Sequence, residues 1–134
     1  MDGVPMVKGS PAPVQRYLAG VVASVSPEAS LREVCRKLMA VEVGALVVGS
    51  TDDVEGVISE RDVVRAIGLG ADLDTVHAAD VARSALLYCD PSTTMASVSA
   101  LMADRQVRHV LVGSPKRLVG IVSARDVLVA RNED

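Results

Sequence analysis

Apolar residues recur along this chain with two different periods, and the alternation between them sets out its elements. Leu31, Val34, Cys35, Leu38 and Met39 follow one another at i, i+3, i+4, i+7 and i+8, the stripe of an amphipathic helix. Ser30 stands where that helix should begin, and Glu33 three residues on completes a capping box. Ahead of it, "VVASV" at 21–25 reads as a short extended segment closed by Ser26-Pro27. Behind it, "GALVVG" at 44–49 is a continuous apolar run of strand length, "STDD" at 50–53 is a turn, and "VEGVIS" is a second strand. A further helix is predicted from about Glu60 to Ile67. The stretch that follows, "GLGADLDTVHAADVARS", reads as a linker with a short helix after Asp74.

The same order of elements then returns. "GVISERDVVRA" at 56–66 reappears as "GIVSARDVLVA" at 120–130, an offset of 64. At that offset "SPEASLREV" (26–34) lies over "DPSTTMASV" (90–98), and "ALVVGS" (45–50) over "HVLVGS" (109–114). The second copy predicts a helix from Met95 to Asp104, strands at 108–112 and 118–122, and a helix from Ala124 to about Arg131. A shared register of this length means two copies of one β-α-β-β-α unit, and units this short seldom bury their apolar face alone. The chain therefore divides into a flexible arm (1–14), a first repeat (15–68), a linker (69–83) and a second repeat (84–134).

Composition narrows what such a molecule can do. Of 134 residues 49% are hydrophobic and 23% charged, an ordinary globular balance. There is no Phe or Trp, and the only tyrosines are Tyr17 and Tyr88, so the core must be aliphatic. A net charge of −3 without a Lys/Arg stripe argues against nucleic-acid binding, which draws most of its affinity from neutralised phosphates. No apolar run approaches the roughly 18 residues of a membrane span. Cys35 and Cys89 make no disulfide pattern and read as small buried hydrophobes, so a cytoplasmic location is expected. Catalysis is not expected either. His77 and His109 stand in no motif with a nucleophile, and His77, Cys89 and His109 lack the spacing of metal ligands.

The candidate chemistry lies in the repeated stretch itself. Ser59 and Asp62 form, on their own, a good N-terminal cap. Yet both copies carry Gly, two β-branched aliphatics, Ser, any residue, Arg and Asp, giving Ser123 and Asp126 the same places. Gly56 and Gly120 inside strands mark a close backbone approach. A helix N-terminus straight after a strand offers free N–H groups and a favourable dipole to an anion. A serine hydroxyl there can reach a phosphate, while a carboxylate one turn in suits a pair of hydroxyls such as a ribose diol. These residue types point to a nucleotide or nucleoside.

Two β-α-β-β-α copies, each closing on Gly-h-h-Ser-x-x-Asp, resemble a tandem pair of CBS domains, the Bateman module, over about residues 15 to 132. The resemblance implies an α/β fold of two pseudo-symmetric repeats packed sheet to sheet with two clefts. It implies no catalytic role and no obligatory cofactor. The expected regulatory ligands are AMP, ADP, ATP or S-adenosylmethionine, sensed as an energy or metabolite signal. It further implies that the Asp holds the ribose, that the Ser approaches the phosphate, and that the adenine meets the opening strand of the opposite repeat. One site would then use Ser59 and Asp62 with backbone near Leu86 and side chains of Arg108 and His109. The other would use Ser123 and Asp126 with backbone near Val22 and the positions around Gly44 and Ala45. At the 64-residue offset Gly44-Ala45 lies over Arg108-His109, so phosphate is expected to prefer the Asp62 site. Tyr88 stands close to the expected adenine cleft, as a base contact or a half-buried core tyrosine. Arg61 and Arg125 share one slot and face solvent or a phosphate. The family also implies a homodimer acting on an unnamed effector protein. The competing expectation is a ligand-free dimerisation scaffold.

Overall fold

The computed structural model describes residues 9–18 and 22–133. Each repeat opens on a two-residue strand, β1 (Ser24–Val25) in the first and β4 (Tyr88–Cys89) in the second. A helix follows, α1 (Leu31–Val41) or α4 (Met95–Arg105). Then come a hairpin, β2 (Ala45–Ser50) with β3 (Asp53–Ser59) or β5 (His109–Ser114) with β6 (Arg117–Ser123), and a closing helix, α2 (Glu60–Gly68) or α5 (Ala124–Glu133). A one-turn helix, α3 (Ala78–Val81), lies between the copies. The sheets have strand orders β1-β2-β3 and β4-β5-β6. β1 runs parallel to β2 and β4 parallel to β5, while β2 and β3 are antiparallel.

The expected elements are present, and equivalent ones stand 64 residues apart down to their irregularities. Glu42 and Gln106, the residues that end α1 and α4, are both left-handed, at φ 53° and 54°. Gly49 and Gly113 carry φ of 106° and 113°. At Gly49 the β2–β3 register shifts, and a Cβ there would lie 2.5 Å from the Asp53 carbonyl oxygen, so the bulge requires glycine.

Why α1 forms is visible at its start. Ser30 Oγ accepts the Glu33 N–H at 3.1 Å, and Glu33 Oε1 accepts the Ser30 N–H at 3.2 Å, the capping box expected from sequence. Leu31, Val34 and Leu38 are buried, but Met39 is 77% exposed. Leu38 takes the core-facing place, and a further 100° step along the helix carries Met39 off the packed face. In α4, Thr94 Oγ1 accepts the Ser97 N–H at 3.1 Å, and Met95, Val98 and Met102 are the buried residues.

The described chain forms two compact units. One holds residues 22–86 with 115–118; the other holds 9–18, 87–114 and 119–133. The first is built around Leu31, Val34, Leu46, Val48 and Ile58, the second around Met95, Val98, Val110, Val112 and Val122. Burying each such side chain is worth about 1.5–3 kcal/mol.

The flexible arm expected over 1–14 needs correction for its described part; residues 1–8 lie outside the described residues. Ala12 and Val14 are buried in the second unit, and Val14–Tyr17 form a 3-10 turn. The carbonyls of Ala12 and Ser10 accept the N–H groups of Met95 and Ala96, each at 2.8 Å, and Val14 N–H donates to the Thr93 carbonyl at 2.8 Å. The linker does the same for the first unit. Val76 O accepts from Leu31 N–H at 3.1 Å, and Ala78 N–H donates to Ala29 O at 2.7 Å. Both segments supply acceptors to N–H groups that the first turn of a helix leaves unpaired. The arm and the linker are thus the same structural segment 64 residues apart. Each serves the copy that its place in the sequence does not suggest.

Candidate functional site

The Ser-x-x-Asp elements lie where a strand hands over to a helix. β3 ends at Ser59 and α2 begins at Glu60; β6 ends at Ser123 and α5 begins at Ala124. Ser59 is extended, at φ −105° and ψ 166°, which turns its hydroxyl over the first turn of α2. Its Oγ accepts the Asp62 N–H at 3.2 Å, and Asp62 Oδ2 accepts both the Ser59 N–H and the Ser59 hydroxyl at 2.9 Å. The second copy repeats this. Ser123 Oγ accepts from Asp126 N–H at 3.2 Å, and Asp126 Oδ2 accepts the Ser123 N–H at 2.8 Å and its hydroxyl at 2.9 Å. One carboxylate oxygen of each aspartate is therefore committed to the cap, and the other, Oδ1, points elsewhere.

At Oδ1 the copies part. Asp62 is buried, and its Oδ1 accepts the Arg83 Nε–H at 3.2 Å, with Arg65 NH1 at 3.8 Å. Asp126 is half-buried and has no ion pair among the described residues. Arg83 is held in place by its backbone: its N–H donates to the Val57 carbonyl at 2.9 Å, and its own carbonyl accepts the Val57 N–H at 3.0 Å. That bridge explains Gly56. A Cβ at Gly56 would lie 2.8 Å from the Arg83 carbonyl oxygen and 3.2 Å from Ala82 Cβ. The close approach expected at the strand glycines is therefore made by the chain's own linker. At Gly120 the neighbour is Leu18, whose Cδ2 would lie 2.8 Å from a Cβ.

The other sequence candidates fall as follows. Gly44 O accepts the Glu60 N–H at 3.0 Å, and Arg108 O accepts the Ala124 N–H at 2.9 Å, so each position caps the closing helix of its own copy. Arg108 and His109 thus stand beside Ser123 at the head of β5, Arg108 exposed and His109 half-buried. Leu86 belongs with Ser59 and Asp62 in the first unit and is half-buried, as is Val22. Arg61 and Arg125 are both exposed, the solvent-facing alternative of the two expected for them. Tyr88 is half-buried in β4, and burial pushes its hydroxyl above the ordinary tyrosine range. The Cys89 thiol is likewise raised, first by burial. Among the described residues, no group of three or more His, Cys, Asp or Glu is placed to hold a metal ion, and no helix is long and apolar enough to cross a membrane.

Sequence reasoning missed Arg83. The signal available was the difference between the copies, since Arg83 lies over Ala19 at the 64-residue offset. Nothing in the sequence tied that arginine to an aspartate 21 positions earlier.

Comparison with known proteins agrees with this construction. The CBS domain family model matches twice, over residues 17–69 and 78–133. Hypoxic response protein 1 of Mycobacterium tuberculosis is 35% identical over 88 residues, which cover 64% of this chain and 62% of that protein. The match therefore spans less than two thirds of that relative's length. The crystal structure of the CBS-domain protein ATU1752 from Agrobacterium tumefaciens superposes with a TM-score of 0.79 at 30% identity, covering 90% of this chain and 98% of that one. That of PAE2072 from Pyrobaculum aerophilum, solved in complex with AMP, gives a TM-score of 0.77 at 26% identity, covering 91% and 99%. Two β-α-β-β-α copies in one register, each closing on a serine-capped helix with its aspartate, place this chain in the CBS-domain family as a tandem pair.

Proposed function

We propose that the chain is a regulatory sensor of adenosine nucleotides, with Ser59–Asp62 and Ser123–Asp126 each engaging a ribose and its phosphate. The observation that supports this best is the duplicated cap. In both copies a serine hydroxyl at a helix N-terminus is bonded, among the described residues, only to its own aspartate's carboxylate and N–H, and that hydroxyl can turn to a phosphate oxygen. The carboxylate then accepts hydrogen bonds from the ribose hydroxyls. The AMP complex of the Pyrobaculum relative supports the ligand class. On the family's pattern, backbone near Val22 and Leu86 meets the base, and Arg108 and His109 face phosphate. A nucleotide acts on such a module through unequal affinity for two arrangements of it, read out by a partner protein. Isothermal titration calorimetry with AMP, ADP, ATP and S-adenosylmethionine tests this. The expected result is saturable binding, with Asp62→Ala and Asp126→Ala each removing a site and Arg108→Ala weakening AMP. Absence of binding at millimolar concentration of all four ligands overturns it.

A second reading, assembly as a homodimer, has its own observation. Val64 of α2 is 68% exposed and Leu128 of α5, at the equivalent place, 56%. Two apolar side chains on matching helix faces suit a two-fold interface. Sedimentation equilibrium tests it: Val64→Glu with Leu128→Glu converts a dimer to a monomer, and a wild-type monomer at high micromolar concentration overturns it.

A further inference from the structure

The two aspartates are not equally available, and the difference lies in one arginine. Asp62 is buried at 4% exposure, and the oxygen its cap leaves over is taken by the guanidinium of Arg83, whose side chain is 49% exposed. The two hydrogen bonds between the Arg83 and Val57 backbones fix the root of that side chain against β3, while its head is half-exposed and held to Asp62 by the Nε–H. Arg65, the second cation near this oxygen, stands at 3.8 Å, beyond hydrogen-bond reach. Asp126 has no ion pair among the described residues, and at the 64-residue offset Ala19 and Val129 lie over Arg83 and Arg65 in the sequence.

We infer that Arg83 is a specificity residue of the Asp62 site, a latch that admits nucleotides and disfavours uncharged nucleosides. The inference rests on the nucleotide-binding reading above. A ribose diol that bonds to the buried Asp62 Oδ1 competes there with the Arg83 Nε–H, and drawing the carboxylate toward the sugar loosens its bond to the guanidinium. A nucleoside offers the released guanidinium nothing, so a charge-assisted bond is exchanged for a neutral one. A nucleoside monophosphate carries its own anion, and the guanidinium swings from carboxylate to phosphate with its charge still paired. The Asp126 site, without a latch, takes nucleoside and nucleotide with less distinction. Regulation follows: the Asp62 site reports phosphorylated ligand against a background of dephosphorylated nucleoside.

The experiment measures AMP and adenosine affinity by calorimetry in the Asp126→Ala protein, with Arg83 intact, as Gln and as Lys. The Arg83→Gln change is expected to weaken AMP about tenfold and to leave adenosine unchanged or tighter, so the preference for AMP falls by that factor or more. Arg83→Lys keeps a cation beside the buried carboxylate, so the fold stays supported if the Gln variant does not fold. Lysine lacks the planar fork, so it is expected to lose part of the AMP preference and none of the adenosine binding. An unchanged AMP-to-adenosine ratio in the folded variants, or a parallel loss of both ligands, overturns the latch while the nucleotide reading stands. Failure of both ligands to bind with Arg83 intact, while Asp62→Ala protein still binds AMP, removes the Asp62 site and the latch with it. Failure in both backgrounds overturns the nucleotide reading as well.

Discussion

The Ala12 carbonyl accepts the N–H of Met95 at 2.8 Å, joining a segment near the start of the chain to the first turn of a helix in its second half. Met95 is fully buried, as is Val14 two residues along the segment. The contact therefore closes the core of that unit as well as its helix end.

Removing this strap should destabilise the second copy. Deleting residues 1–17 withdraws the buried Val14 and frees the Met95 and Ala96 N–H groups. Val14→Ala alone should cost about 2 kcal/mol, from two methyl-sized losses and the space they leave. Urea denaturation followed by circular dichroism reads both. A deletion variant as stable as the intact chain would mean that the segment contributes no net stability.

The two strand glycines should differ in tolerance. Gly56→Ala drives a Cβ to 2.8 Å from the Arg83 carbonyl oxygen, a backbone atom already bonded to Val57, so the strand or the linker must shift. Overpacking of this kind costs about 1–3 kcal/mol. Gly120→Ala meets the Leu18 side chain, with Cδ2, Cδ1 and Cγ at 2.8, 3.0 and 3.2 Å, rather than a bonded backbone atom, and should cost less. Gly68→Ala, with nothing within 4 Å of the added carbon, should stabilise by about 0.5 kcal/mol through helix propensity. The order of the three denaturation midpoints checks the argument.

Asp74 should confer a stability that depends on pH. Arg32 donates to its two carboxylate oxygens at 2.6 and 3.1 Å, and this bond is the leading cause holding Asp74 below the usual carboxylate range. A carboxyl whose pKa is lower folded than unfolded stabilises the fold above the unfolded value, and the contribution vanishes as pH falls through the folded one. Asp74→Asn should therefore melt below wild type at pH 7, with the gap closing as acid protonates the folded-state carboxylate. Because both side chains are exposed, the gap at pH 7 should also shrink in 1 M salt. A gap independent of pH would assign the effect to something other than this pair.

Cys89 should be a slow nucleophile. Burial, the largest cause, raises its thiol, so little thiolate exists near neutrality. Iodoacetamide should label it in the native protein more slowly than in urea at pH 7.5, and the native rate should climb only at a more alkaline pH than the rate in urea. Equal rates in the two states would contradict a half-buried thiol.

Much of this molecule was legible in its residues because side chains carried the information. The α1 stripe, the Ser30–Glu33 box and the twice-written Gly-to-Asp element are patterns of residue type, and each became the element it announced. The equivalence of 9–17 with 73–81 was not legible. Ala12 and Val76 act through their carbonyls, as Val14 and Ala78 do through their N–H groups, and a backbone group places little demand on the side chain above it. Met39 misled because a stripe fixes a face but not where the packing on that face ends. Both Ser-Asp caps are legible from residue type and spacing. The Arg83–Asp62 pair was hidden because it depends on how the linker returns across β3.

The placement of the two straps has a consequence for dissection of the gene. Cutting the polypeptide at Gly70 follows the sequence repeat, yet it gives each fragment the strap that belongs to the other. Residues 9–17 stay with the first copy but complete the second, and 73–81 stay with the second but complete the first. Neither fragment is then a self-sufficient domain, and each carries the piece that its counterpart needs. Two half-genes expressed together should therefore restore what neither half folds into alone.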